Sequence, residues 1–164
     1  MVTAVGTAAA RLIDLVAREG ALVVGVGHSL RGDDAVGSAI AASLAPRFAG
    51  RAIDAGPVPE SYLGSLLVSP RPVVFLDAVM HGGEPGSWCV ISAAELESRA
   101  PDTHRASLHL LAELLRTHGV EAWVVGIEPR QLNVGAPLSP EVECTAAELV
   151  GLLTAALMEA SGDG

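Results

Sequence analysis

The hydrophobic positions change period along the chain, and the changes mark out alternating helices and strands. Val5, Ala9, Leu12, Ile13 and Val16 recur at helical spacing and predict a short amphipathic helix over residues 5–18. Residues 21–26 are an unbroken aliphatic run of strand length, the pattern of a strand buried on both faces. From position 34 to 44 the period returns to that of a helix, with Val36, Ile40 and Leu44 on one side. An acid, Asp33 or Asp34, stands ready as its N-cap.

Residues 51–55 and 73–77 read as the second and third strands, joined through a short helix that Pro59 and Glu60 open and that runs to Leu67. Residues 88–91 read as a fourth strand. Only the Gly82-Gly83-Glu84-Pro85-Gly86 turn separates it from the third, so an antiparallel pair with that strand is expected. A helical segment over 93–99 is stopped by Pro101, and Leu108, Leu111, Leu114 and Leu115 form the stripe of a helix ending near Gly119. Residues 122–127 are the last strand. Ser139-Pro140-Glu141-Val142 then supplies the N-cap, first-turn proline and early acid of a final helix running to about Glu159. Strands alternating with helices predict an α/β fold: a three-layer α/β/α sandwich around a mostly parallel, mixed and twisted sheet of about five strands. The 164 residues suit a single domain over 1–164, with 1–20 as an N-terminal helical extension.

Composition narrows the function classes. Half the residues are apolar but only five are Phe, Trp or Tyr, so the core rests on Ala, Val, Leu and Ile. The formal charge is −9 and all ten basic residues are arginine, scattered rather than gathered on one face, which argues against nucleic acid as a partner. Cys89 and Cys144 form no CxxC pair and read as two buried small hydrophobes in a reducing compartment. The first apolar stretch is broken by Arg11, Asp14, Arg18 and Glu19, so neither a secretory signal nor a membrane span is expected, and the setting reads as cytoplasmic.

The chemistry gathers where strands end. Asp33 and Asp34 follow the first strand, and the second and third strands end at Asp54 and Asp77. In an open parallel sheet those ends share one edge, so the acids can converge on one crevice, and His109 at a helix start can close it. Two carboxylates and an imidazole form a first shell for a divalent metal with positions left open. Blander roles compete: Asp33 or Asp34 as cap, Asp54 as a turn aspartate, His109 as an ordinary helix histidine. Asp77 resists such a role, because Val-Val-Phe-Leu before it and Ala-Val-Met after it surround it with apolar side chains. His28, His81 and His104 are weaker candidates, and His118 is most simply a helix C-terminal residue favouring the dipole. Ser29 lacks a GxSxG elbow, Cys89 lies mid-strand with no base nearby, and two acids would repel the pyrophosphate of a dinucleotide.

Five segments taken in order resemble one family. They are Gly-Val-Gly-x-x-Leu-x-Gly-Asp-Asp-x-x-Gly at 25–37, Asp54-Ala-Gly, Asp77-Ala-Val with Pro85-Gly86, Ser107-x-His109, and Gly126-Ile-Glu-Pro129 with Leu138-Ser-Pro-Glu-Val142. Over residues 21–157 the pattern resembles the hydrogenase maturation proteases. The resemblance implies an endopeptidase that removes a C-terminal peptide from a nickel–iron hydrogenase large-subunit precursor after nickel insertion. It places the nickel contacts on Asp34, Asp77 and His109, which are then also the catalytic positions, and leaves Asp33, Asp54 and His28 in supporting roles. It implies nickel supplied by the substrate and no organic cofactor; no membrane is expected from the apolar runs, and a monomer would suit a transient encounter with a large precursor. His28 stands where the family commonly has Asn, and Ala35 where Gly is frequent. The alternatives are another metallohydrolase on the same scaffold, with the metal as Lewis acid, or a non-catalytic nickel-binding maturation factor.

Overall fold

The computed structural model describes residues 2–98 and 103–162, with side chains over 6–96 and 108–162. Helix α1 (Val2–Ile13) continues as a short π-helix (Asp14–Arg18) into strand β1 (Leu22–Val26). A 3₁₀ turn (Gly32–Ala35) leads to α2 (Val36–Leu44), then β2 (Ala52–Gly56), a 3₁₀ turn (Pro59–Tyr62) and α3 (Leu63–Leu67). Strands β3 (Val73–Ala78) and β4 (Trp88–Ser92), a 3₁₀ segment (Ala93–Ser98), α4 (Thr103–Thr117), β5 (Ala122–Ile127) and α5 (Pro140–Gly162) complete the order. Arg99 and Pro101 lie outside the described residues, as do the side chains of His104 and Ser107.

The five strands form one sheet in the order β2-β1-β3-β5-β4, parallel throughout except for β4. The fold expectation holds: a mostly parallel mixed sheet with helices on its faces. Alternate strand residues explain the layers, because successive side chains point to opposite faces. Val23, Val74, Leu76, Val125 and Ile127 join the side chains of α1, α2 and α5 in one core. Their neighbours Val24, Val73, Phe75 and Val124 join those of α3 and α4 in the other.

Two expectations are corrected here. Strand β4 pairs antiparallel with β5 (Cys89 opposite Gly126, Ile91 opposite Val124) and not with β3. The 79–87 connection is too long for a tight hairpin, and it passes over the end of β5, exchanging Gly86 N–H to Glu128 O and Glu128 N–H to Ser87 O, at 2.9 and 2.8 Å. The cysteines are not both buried: Cys89 is half-buried and Cys144 exposed. Cys144 falls off the α5 stripe formed by Val142, Thr145, Leu149, Leu153 and Ala156. By length and hydropathy α5 would suffice for a bilayer span, and that stripe lies against the sheet and α2.

Glycines set how closely α2 meets the sheet. A Cβ on Gly37 would lie 1.9 Å from the Leu76 carbonyl oxygen and 2.5 Å from that of Val26; one on Gly25 would lie 2.2 Å from Gly37 O. Helix and sheet therefore touch backbone to backbone. This contact brings the start of α2 down onto the C-terminal ends of β1 and β3.

Candidate active site

Asp34 lies one helical turn before Gly37, and Gly37 rests on the carbonyl of the residue that precedes Asp77. The 3₁₀ turn bearing Asp34 contacts β3 directly. The first two proposed residues thus share one corner of the sheet's C-terminal edge, where open α/β sheets keep their crevices. Asp77 is 9% exposed, near the end of β3, opposite Gly126 of β5. Gly27 holds a positive φ of 153°, and a Cβ there would sit 1.9 Å from Asp34 O, so the turn closes only with glycine.

The adjacent acids divide sharply. Asp33 is fully buried, and its carboxylate accepts four hydrogen bonds: from Arg130 N–H at 2.8 Å, Gln131 N–H at 3.1 Å, Ser139 N–H at 2.7 Å and Ser139 Oγ–H at 2.8 Å. It ties the 130–139 loop to the opening turn. Asp34 is half-buried; its Oδ2 accepts His28 N–H at 3.1 Å, and its Oδ1 accepts nothing among the described residues. Neither acid caps the helix: Ala35 holds the N-cap position of α2 without a side-chain bond. The cap expectation fails because longer-range donors claim Asp33 and the turn's own backbone claims Asp34.

Asp54 is exposed, and its Oδ1 accepts Gly56 N–H at 3.0 Å and Ser38 Oγ–H at 2.5 Å. The first is an Asx turn, the second a strap from β2 to α2. Leu30 N–H donates to His28 Nδ1 at 3.2 Å. That bond assigns the neutral ring's proton to Nε2, so His28 closes its turn and offers no free nitrogen lone pair.

His109 is half-buried on α4, beside Leu108 and Leu111 of the core stripe and one turn before Glu113. The helix starts at Thr103, so His109 stands in its second turn and not at its start as expected; because α4 leads into β5 at the sheet's N-terminal edge, that half of the helix points to the C-terminal edge. Glu113 is held below the usual carboxylate range, first by its hydrogen bond from Arg116 and more weakly by His109. Among the described residues no three His, Cys, Asp or Glu side chains stand grouped at metal-holding separation. Asp34 and Asp77 stand at one corner of the sheet's edge, and His109 stands on α4, which packs on the face that carries Val73 and Phe75.

Two residues of the quoted motifs take roles that the sequence reading did not give them, Glu128 and Ser139. Glu128 follows β5 as Asp77 ends β3, so the same strand-end pattern points to it. Its Oε2 accepts the N–H groups of His81 and Gly82 at 2.6 and 3.1 Å and fixes the loop after β3. His81 in turn binds Ser87 O through Nε2 at 3.2 Å, and is a loop brace. Ser139 carried no local signal beyond an N-cap, because its partner is Asp33. His118 binds the Leu114 carbonyl through Nδ1 at 2.9 Å, as a helix C-terminal residue should.

The sequence profile of the hydrogenase maturation proteases matches residues 36–156, which hold Asp54, Asp77 and His109. The chain belongs to the hydrogenase maturation protease family. It is similar to a Methanocaldococcus jannaschii protein whose name assigns it to these proteases, at 26% identity over 80% of this chain and 85% of that one. Among solved structures it resembles the [NiFe] hydrogenase maturation protease HycI of Thermococcus kodakarensis, with TM-score 0.80 and 27% identity over 90% of this chain and 99% of that chain. It also resembles the maturating endopeptidase HybD of Escherichia coli, with TM-score 0.69 and 26% identity over 84% and 91%. In this member of the family Asp33 and Glu128 brace the loops at the sheet edge where Asp34 and Asp77 stand.

Proposed function

We propose that the chain is an endopeptidase that removes the C-terminal peptide of a nickel–iron hydrogenase large-subunit precursor once nickel has been inserted, and that Asp34, Asp77 and His109 meet the nickel that the precursor presents. One observation carries the reading: in a member of this protease family, the carboxylate of Asp34 is anchored by one oxygen and open at the other, at the corner shared with Asp77. Two carboxylates and an imidazole are a donor set that nickel accepts. In this reading the metal enters as part of the substrate. Its docking orients the precursor's C-terminal segment in the crevice, and alignment of the reacting groups is itself a large part of catalysis. Asp33, Asp54 and Glu128 act through others, holding the 130–139 loop, the β2–α2 strap and the 80–87 loop that surround the edge.

The test is incubation of the protein with a nickel-loaded and a metal-free precursor, followed by intact-mass measurement. Loss of a C-terminal peptide from the loaded form alone is expected. Asp34→Asn, Asp77→Asn and His109→Ala should each slow cleavage by 100-fold or more, on the order of a lost essential contact in the transition state, while circular dichroism stays native. Folded wild-type protein that cleaves neither form overturns the activity. Normal cleavage by Asp77→Asn overturns the site.

A further inference from the structure

The edge of the sheet opposite the acids carries a second feature. A groove of about 450 Å³ opens there, lined by Arg18, Glu19, Gly20, Arg51, Arg71 and Glu159 among others. Gly20, Arg51 and Arg71 stand just before the first residues of β1, β2 and β3 (Leu22, Ala52 and Val73), so the groove runs along the starts of three parallel strands. Its charges do not cancel. Arg18 is paired with Asp14 at 3.0 Å and Glu19 with Arg11 at 2.8 Å. Arg51 and Arg71 have no carboxylate within 4.0 Å among the described residues, and Glu159 is exposed on the last turns of α5. Two arginines face the groove against one unpaired acid, in a chain whose net charge is −9.

Both guanidinium groups are held in place by backbone. Arg51 Nη2 donates to Val16 O at 3.0 Å and Ala21 O at 3.3 Å, while Arg71 Nη1 donates to Gly20 O at 3.3 Å. Arg51 Nε is buried and makes no hydrogen bond among the described residues. That nitrogen is sealed from the groove, and what the groove presents is a pair of fixed like charges. Burial, and then the neighbouring Arg71, hold the Arg51 guanidinium below its ordinary value. An anion between the two would offset their mutual repulsion.

We propose that this groove binds a small oxyanion of the phosphate class between Arg51 and Arg71. The planar fork of arginine matches tetrahedral oxyanions by paired N–H donors. The volume lies within the roughly 300–1,000 Å³ of small-molecule sites, enough for a phosphate ester as well as the free ion. The site is independent of proteolysis, because it lies at the other end of the strands from Asp34 and Asp77.

Calorimetric titration of the full chain with inorganic phosphate, at ionic strength fixed with sodium chloride, tests this, with glycerol phosphate as the second arm. Saturable binding is expected, with amide chemical-shift changes at Gly20, Arg51 and Arg71. Arg71→Gln removes an exposed side chain with one carbonyl contact and should weaken binding at least tenfold; Arg51→Lys, which keeps the charge but loses the fork, should weaken it too. Tighter binding of the ester than of the ion identifies a phosphorylated metabolite as the ligand, and the reverse identifies free phosphate. Absence of binding, or equal binding by wild type and Arg71→Gln, overturns the proposal. So do shifts centred outside the groove.

Discussion

Adjacent acids with the same side chain have opposite duties, and substitution should separate them. Asp33 is a buried anion satisfied entirely by donors from residues 130–139. Hydrogen bonds to a charged group are worth roughly 1.5–3 kcal/mol each, and Asn replaces one acceptor oxygen with a donor that faces other donors. Asp33→Asn should therefore cost at least about 3 kcal/mol in urea unfolding. Asp34→Asn leaves one carbonyl oxygen for the single N–H of His28 and should shift stability by less than about 1 kcal/mol, while cleavage is lost. Equal destabilisation by the two would refute the division. The sequence made the pair conspicuous but could not assign the roles. A cap is a local pattern, whereas the partners of Asp33 lie 97, 98 and 106 residues away.

At the scale of elements, the strands and helices were largely legible, because their hydrophobic period is local. Residues 21–26, 73–77 and 122–127 read as strands and fold as β1, β3 and β5 within a residue or so. Strand order was less legible. The proximity of β3 and β4 in sequence suggested a hairpin, but β5 takes the place between them, an insertion that only the whole sheet specifies. His109 entered as a residue that could close the crevice, and only the resemblance raised it above an ordinary helix histidine, since the α4 stripe itself does not distinguish it. The glycine pattern, by contrast, has a direct physical reading at this scale: Gly25 and Gly37 let α2 sit on the sheet. Gly37→Ala would place a methyl group 1.9 Å from Leu76 O, a contact that only a shift of α2 can relieve. Overpacking of this kind costs about 1–3 kcal/mol. Because Asp34 and the Leu76–Asp77 segment lie on either side of that contact, cleavage should fall further than stability accounts for. Chemical denaturation and the precursor assay on the same sample measure both; full activity in a destabilised variant would separate the glycine contact from the site.

For the whole molecule, the structure changes the standing of the N-terminal segment. The resemblance begins at residue 21 and treats what precedes it as an extension, yet Leu12, Leu15 and Val16 are fully buried in the same core as α2 and α5. Arg11 reaches from this segment over the Trp123 ring of β5, 4.3 Å from its centroid. The segment therefore packs on β4 and α5 at one face of the sheet, and without it those two elements would lose part of their cover. Burial of three aliphatic side chains is worth roughly 1.5–3 kcal/mol each, against a total stability of about 5–15 kcal/mol for a domain of this kind. Leu15→Ala should cost about 2–5 kcal/mol through the cavity it leaves, and deletion of residues 1–19 should leave a chain that is largely unfolded or aggregated. Thermal unfolding of the point variant and size-exclusion chromatography of the truncated chain check this. A soluble, cooperatively folding truncation would show that α5 and the sheet close the face alone, and that the segment is an accessory after all.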